Sequence, residues 1–332
     1  MTTETTPVDT QPTAVAPTPV MEVRGLKKYF PVANGTLHAV DDVNLSVAKG
    51  ETVGVVGESG CGKSTLGRTM IRLLKPTEGE ILLNGDDIAD AGGRKLREAR
   101  NHMQIVFQDP YSSLNPRQRV ASTVVEPLRR SGEYSGKQAK EEAARLMSLV
   151  GIDDRLRQAY PHELDGGRRQ RVGIARALAL NPEFVVCDEP VSALDVSIQA
   201  QVLNLLVDLR EQTGVSYLFV THDLSVVRHI SDRICVMYLG QVVELSPAKE
   251  LFERTLHPYT RALLSAIPSV DITNPPTRIP LKGEITSPVD PKPGCRFAQR
   301  CPFATEACAQ PQVLREVSPG HKVACCRLEE IS

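Results

Sequence analysis

The chain has 332 residues, 41% apolar and 24% charged, enough for roughly two domains at about 150 residues each. Its 39 Lys and Arg against 40 Asp and Glu leave a formal charge of −1, which excludes a protein whose main task is coating nucleic acid. Trp is absent and aromatics total 4%, which removes Trp-rich carbohydrate platforms and most base-stacking modules.

Residues 1–19 are rich in Thr and Pro, carry no Lys or Arg, and read as a disordered tail rather than an export signal. No run approaches the roughly 18 apolar residues that cross a bilayer, so a membrane role has to come through partners. From Met21 to about Leu83, β-rich runs alternate with turn signals. Strands are expected at Met21–Val23, Leu45–Val47, Thr52–Val56 and Ile81–Leu83, with hairpin turns at Asn34-Gly35 and Asn84-Gly85. A polar, basic stretch precedes a strand at Gln104–Phe107. Helical spacing follows from Val120 to Val150 and over 166–180. Strands at Phe184–Cys187, Ser216–Thr221 and Arg233–Tyr238 then alternate with helices at Val196–Thr213 and Leu224–Ile230. That rhythm predicts a parallel sheet buried on both faces. Seven prolines between Pro268 and Pro293 mark a linker into a Cys-rich end, and no internal repeat is visible.

Gly57-Glu58-Ser59-Gly60-Cys61-Gly62-Lys63-Ser64-Thr65 fits the phosphate-loop pattern, after an apolar strand and before a helix expected to run to about Leu74. The glycines let backbone N–H groups turn inward, and the helix N-terminus adds its positive end. Lys63 then reaches the β- and γ-phosphates, and Ser64 ligates Mg²⁺. About 125 residues on, Phe184-Val185-Val186-Cys187-Asp188-Glu189 is an apolar strand ending in two carboxylates, beside the phosphates in a parallel sheet. Asp188 suits the Mg²⁺ shell and Glu189 suits polarising an attacking water.

Between these halves, Leu164-Asp165-Gly166-Gly167-Arg168 resembles the Leu-Ser-Gly-Gly-Gln signature of ABC-transporter ATPases. Gln108 in Val-Phe-Gln-Asp-Pro resembles the Q-loop glutamine, Ser192-Ala193-Leu194-Asp195 the D-loop, and His222 the switch histidine. Phe30, with Tyr29 beside it, stands where the family stacks an aromatic on adenine. The resemblance runs from about Met21 to Ser332 and is closest to ATP-binding subunits of oligopeptide/dipeptide permeases. It implies an α/β P-loop ATPase of ABC type with an antiparallel β-subdomain, a helical subdomain at about 109–161 and a Cys-rich C-terminal extension. On that plan the ATPase region is 20–256 and the extension 257–332. ATP and Mg²⁺ are its cofactors, with Gln108 joining Ser64 at the metal and Glu189, His222 and Lys63 catalytic.

In that family two ATPase subunits close head-to-tail on two ATP, each nucleotide held by one chain's phosphate loop and the other's signature. The implied partners are a second ATPase subunit, two transmembrane permease subunits and an extracytoplasmic peptide-binding protein, at the cytoplasmic face of the plasma membrane, with no nucleic acid. Residues 290–332 carry six basic and five acidic side chains, against a cationic surface for DNA or ribosomes. Another cargo, such as nickel, and a non-transport ABC ATPase remain the alternatives.

Two features stand apart from the motif pattern. Asp165 replaces the signature Ser and Arg168 the Gln. An ionised Asp cannot donate to a γ-phosphate, and the repulsion at about 4 Å and an effective dielectric of about 20 is on the order of 4 kcal/mol. Either the chain pairs with an unlike subunit in an asymmetric dimer, or Asp165 turns aside as a helix cap. The second feature is Cys295, Cys301, Cys308 and the Cys325-Cys326 pair. Four thiolates suit an iron–sulfur cluster or zinc, and an unmetallated tail is the third reading. The resemblance implies a 4Fe–4S cluster with Cys325 as fourth ligand. Cys61, Cys187 and Cys235 read as buried apolar fillers.

Overall fold

The computed structural model describes residues 18–267, 278–281, 283 and 286–331. The expected tail thus lies almost wholly outside the described residues, as does much of the Pro-rich linker. Two sheets organise the chain. The first is antiparallel, in the order β2-β1-β4-β5, from β1 (Met21–Val32), β2 (Gly35–Val47), β4 (Glu78–Leu83) and β5 (Asp86–Asp87). The second has eight strands in the order β11-β12-β10-β9-β3-β8-β7-β6. Its parallel part comprises β3 (Thr52–Val56), β6 (Met103–Val106), β7 (Phe184–Asp188), β8 (Ser216–Val220) and β9 (Arg233–Tyr238). Antiparallel strands β10 (Gln241–Pro247), β11 (Arg315–Ser318) and β12 (His321–Val323) extend it beyond β9.

Every residue of β3, β7 and β8 is buried, as continuous apolar runs in a two-faced sheet require. Alternation sorts their side chains into two cores. Val185, Cys187, Tyr217 and Phe219 face the helices between β6 and β7, whereas Phe184, Val186, Leu218 and Val220 face the antiparallel sheet. Cys61, Cys187 and Cys235 are buried within these cores, and burial pushes the Cys235 thiol up to about 12.

The turns explain where element ends fall. Asn84 and Gly85 both take positive φ (51° and 89°), the backbone a tight two-residue hairpin needs. The other turn sits one residue earlier than expected: Ala33 and Asn34 form it, because Gly35 already pairs with Val32. Helix α1 (Lys63–Met70) stops short of Leu74, where Arg72 at φ 56° breaks the run. The basic stretch before β6 is helix α2 (Gly93–His102), whose single buried side chain, Ala99, leaves almost no apolar periodicity to read.

Between β6 and β7 lie α3 (Pro110–Ser113), α4 (Val120–Ser131), α5 (Gly136–Leu149) and α6 (Gly166–Leu178). Gly132 at φ 82° ends α4, and Ser135 starts α5 with a reciprocal capping box through Gln138, which splits the helical stretch in two. Helices α7 (Val196–Thr213) and α8 (Leu224–Ile230) alternate with the later strands. Helices α9 (Ala248–Glu253) and α10 (Pro258–Ser265) lead to the extension, which ends in α11 (Leu328–Ile331). The extension returns to the sheet: β12 pairs with β10, and His321 is fully buried between Glu244 at 2.8 Å and Glu250 at 3.2 Å. Among the described residues no helix is long and apolar enough to cross a membrane.

Candidate functional site

The phosphate-loop residues bridge β3 and α1. Gly57, Gly60 and Gly62 all take positive φ, and a Cβ on Gly62 would fall 2.0 Å from the Ala39 carbonyl oxygen. Helix α1 has no side-chain cap, so its first N–H groups are left for a ligand. Lys63, only 5% exposed, folds back over the loop and donates to the carbonyls of Gly57 at 2.9 Å and Glu58 at 3.0 Å.

Strand order assembles the remainder. With β6 and β8 flanking β7, the residues just past their carboxyl ends meet at Glu189. Gln108 Nε2 donates to Glu189 Oε2 at 2.7 Å, and His222 Nδ1 lies 3.4 Å from Glu189 Oε1. Glu189 sits at φ 46°, a conformation that costs a non-glycine residue about 1–3 kcal/mol. Beneath it Asp188 is fully buried. Its Oδ2 accepts from Arg68 Nε and Nη2 at 3.2 and 3.0 Å, while its Oδ1 has no partner. A buried carboxylate oxygen left unpaired is what a cation ligand looks like before the cation arrives, and with the hydroxyl of Ser64, which lines the neighbouring cleft, the donor types fit Mg²⁺.

A cleft of about 550 Å³ joins most of these groups but not Gly57, Arg68 or Asp188. Phe30, Ser59, Gly60, Gly62, Lys63, Ser64, Thr65, Gln108, Glu189 and His222 line it. Lys28 Nζ stands 4.7 Å from the Phe30 ring centroid. Leu37, His38, Ala39, Leu239, Gly240 and Pro288 complete the lining, and none of them stands out in the sequence. Arg68 was equally illegible, five residues past Lys63 on the same helix. A second cleft, about 610 Å³, between the antiparallel sheet and the extension, contains no phosphate-loop or β7 residue.

Of the residues expected at the nucleotide, Gly57, Glu58, Cys61, Asp188, Leu164–Arg168 and Asp195 lie outside the cleft lining. Asp165 caps α6: Oδ1 accepts from the Arg168 N–H at 2.8 Å, and Oδ2 pairs with Arg168 Nη1 at 3.1 Å. Leu164 is buried, and a Cβ on Gly167 would come 2.5 Å from Ile198 Cγ2, so the signature glycines admit close packing of α7. Asp195 begins α7 through its carbonyl, which accepts from the N–H groups of Ile198 and Gln199.

The extension brings Cys295, Cys301, Cys308 and Cys325 to the wall of one small cavity, along with Pro258, Phe297 and Arg327. Cys326 points to Cys308, with 3.9 Å between sulfurs. Burial raises the thiols of Cys295, Cys301 and Cys325, with Cys295 pushed up to about 11. Among the described residues no three His, Cys, Asp or Glu side chains stand where they could hold one metal ion. The arrangement therefore supports neither a zinc site nor a 4Fe–4S cluster, and the expectation of either rests on the Cys donors alone.

The ABC transporter family model matches residues 40–192, and the family model described as oligopeptide/dipeptide transporter, C-terminal region, matches 243–308. The oligopeptide transport ATP-binding protein AppF of Bacillus subtilis is 52% identical over 317 residues, covering 92% of this chain and 96% of that one. The chain belongs to the ABC transporter ATP-binding family. A putative peptide import ATP-binding protein of Brucella ovis is 49% identical over 312 residues, covering 93% and 98%. Among solved structures, cbiO1 of Clostridium perfringens, part of the cbiONQ transporter complex, is 29% identical with a TM-score of 0.64, covering 71% of this chain and 91% of that one. A dimeric ATP-binding cassette bound to ADP and Pi is 31% identical with a TM-score of 0.63, covering 69% and 98%. As an ABC ATPase the chain binds ATP with Mg²⁺, on the P-loop NTPase fold that the two sheets display.

Proposed function

We propose that the chain is the ATP-binding and hydrolysing subunit of a membrane importer for dipeptides or oligopeptides. The observation that carries this is the convergence of Lys63, Gln108, Asp188, Glu189 and His222 past four adjoining strands, on a chain whose extension matches the peptide-transporter C-terminal model. Phe30 stacks on adenine, the loop from Gly57 to Thr65 wraps the phosphates, and Lys63 leaves its carbonyl partners for the β- and γ-phosphates. Ser64, Gln108 and Asp188 would hold Mg²⁺, which when bound neutralises charge on the phosphoryl oxygens. Glu189 accepts the proton of the attacking water, and His222 orients the γ-phosphate. Gln108 now donates to one Glu189 oxygen, Oε2, where it competes with the attacking water.

The partners follow the family plan: a second ATPase subunit, two permease subunits spanning the membrane and an extracytoplasmic peptide-binding protein. The chain acts at the cytoplasmic face of the plasma membrane. An unlike ATPase partner rests only on Asp165 standing where the signature has Ser; its capping of its own helix is the outcome the alternative reading expected. The site formed with this chain's signature is then the slower one, and Asp165→Ser raises turnover of the reconstituted pair. Unchanged turnover sinks the asymmetry.

We also assign a 4Fe–4S cluster to Cys295, Cys301, Cys308 and Cys325, resting on these four Cys donors alone. Iron and acid-labile sulfide in anaerobically purified protein test it, and their absence removes the cluster. The transport reading is tested by growth on a peptide as sole source of an essential amino acid. Deleting the chain should abolish that growth and restoring it should recover it, whereas Glu189→Gln should not.

A further inference from the structure

The phosphate loop is held from outside by the extension. Glu58, the second residue of the loop, carries a negative charge where an anion has to bind. Arg300, on the turn just before Cys301, meets that carboxylate with both Nη atoms, at 2.7 and 3.1 Å. The pair is well shielded, with the Arg300 side chain 7% exposed and that of Glu58 23%. The Glu58 N–H is taken as well: it donates to the Tyr259 hydroxyl at 2.8 Å. Tyr259 is fully buried and packs edge-on against Tyr238, with Phe297 completing the cluster. Arg300 Nη1 also donates to the Tyr238 hydroxyl at 3.3 Å. The Glu58 carbonyl is therefore aimed at Lys63, while its N–H and carboxylate are turned to the extension. A neighbouring strap does the same for the base end. Pro288, which lines the cleft, accepts from the His38 N–H at 3.0 Å, and Arg296 bonds Asp41 and the Leu239 carbonyl.

We propose that Arg300 and Tyr259 are positioning residues for nucleotide binding: they neutralise Glu58 and fix the phosphate loop in its anion-accepting form. This rests on reading the cleft as the ATP site. Both residues lie outside 40–192, so the chain's ATP affinity depends on its extension and not on the cassette alone. A carboxylate freed on the loop acts against phosphate, and the loss is a matter of charge, which a neutral partner can undo.

The test is the dissociation constant of a fluorescent ATP analogue for the full-length chain. Binding by the unaltered chain that is lost in Lys63→Ala establishes the site. If the unaltered chain does not bind, the ATP-site reading fails, and this proposal with it. Arg300→Gln is expected to weaken binding about tenfold, less so at high salt, and adding Glu58→Gln should restore most of it. Tyr259→Phe keeps the ring and removes only the hydroxyl, so it folds, and it should weaken binding about threefold. With Lys63→Ala defective, unchanged affinity in Arg300→Gln, or failure of Glu58→Gln to rescue it, overturns the proposal. Should Arg300→Gln not fold, unchanged affinity in Tyr259→Phe overturns it instead.

Discussion

Gln108 donates to Glu189 at 2.7 Å, joining the end of β6 to the end of β7 directly across the nucleotide cleft. The bond ties the residue that leads into the helices between β6 and β7 to the carboxylate proposed as general base. A movement of those helices therefore frees or covers Glu189.

Glu189→Gln keeps the size and both hydrogen-bonding neighbours but cannot take a proton. Turnover should fall by about 10²–10⁴-fold while nucleotide affinity stays near that of the parent. Phosphate release and analogue binding on the same preparation check this. Equal loss of both would mean that Glu189 holds the fold rather than the water.

Asp188→Asn removes charge from the buried oxygen that has no partner and leaves Arg68 without its carboxylate. The Mg²⁺ concentration giving half-maximal turnover should rise at least tenfold, with the protein still folded. A magnesium titration reads this directly.

The loop glycines differ in why they are needed. Gly62→Ala would be strained at φ 104° and would also push a methyl into the Ala39 carbonyl. Gly60→Ala, at φ 78°, meets nothing within 4 Å and costs only the left-handed conformation, about 1–2 kcal/mol. Urea unfolding should rank Gly62→Ala well below Gly60→Ala, and both below the parent.

His257 gives the pH prediction. Its burial lowers the imidazole to about 4, against 6.5 for the free side chain. Between those values the unfolded chain binds the proton and the folded chain does not, so stability falls as pH drops from 6.5 towards 4. Over that window the loss is about 3 kcal/mol. His321 shifts the other way: its imidazole is raised in the Glu244–Glu250 pocket, so its contribution is full below 6.5 and fades only as pH rises. It leaves the acid window to His257 and the carboxylates. His257→Asn keeps a side-chain acceptor for the Tyr259 N–H and removes the titration. Its stability should change less than that of the parent between pH 6.5 and 4, measured by urea unfolding.

The cleft was legible because its parts are short contiguous runs whose strands adjoin: the Gly57–Thr65 loop, the carboxylates closing β7, and the residues two past β6 and β8. The role of His257-Pro258-Tyr259, at the start of the extension, was not legible. The structure supplies a local one, with the His257 side chain capping α10, Pro258 in its first turn, and Tyr259 reaching the phosphate loop. What escaped is long-range. Arg300 meets Glu58 across 242 positions, and no periodicity records such a pair. The β10–β12 pairing escaped for the same reason. Three residues of β12 carry too little pattern to announce a strand until β10 offers an edge.

The most direct measurement is ATP turnover by the chain purified from gently solubilised membranes with whatever accompanies it, with and without a peptide-loaded binding protein. The predicted result is a complex containing two membrane-spanning subunits and a second ATPase with an intact signature, whose turnover rises with peptide and vanishes in Glu189→Gln. A chain recovered alone, or with ribosomes or DNA, and indifferent to peptide would contradict the transport function.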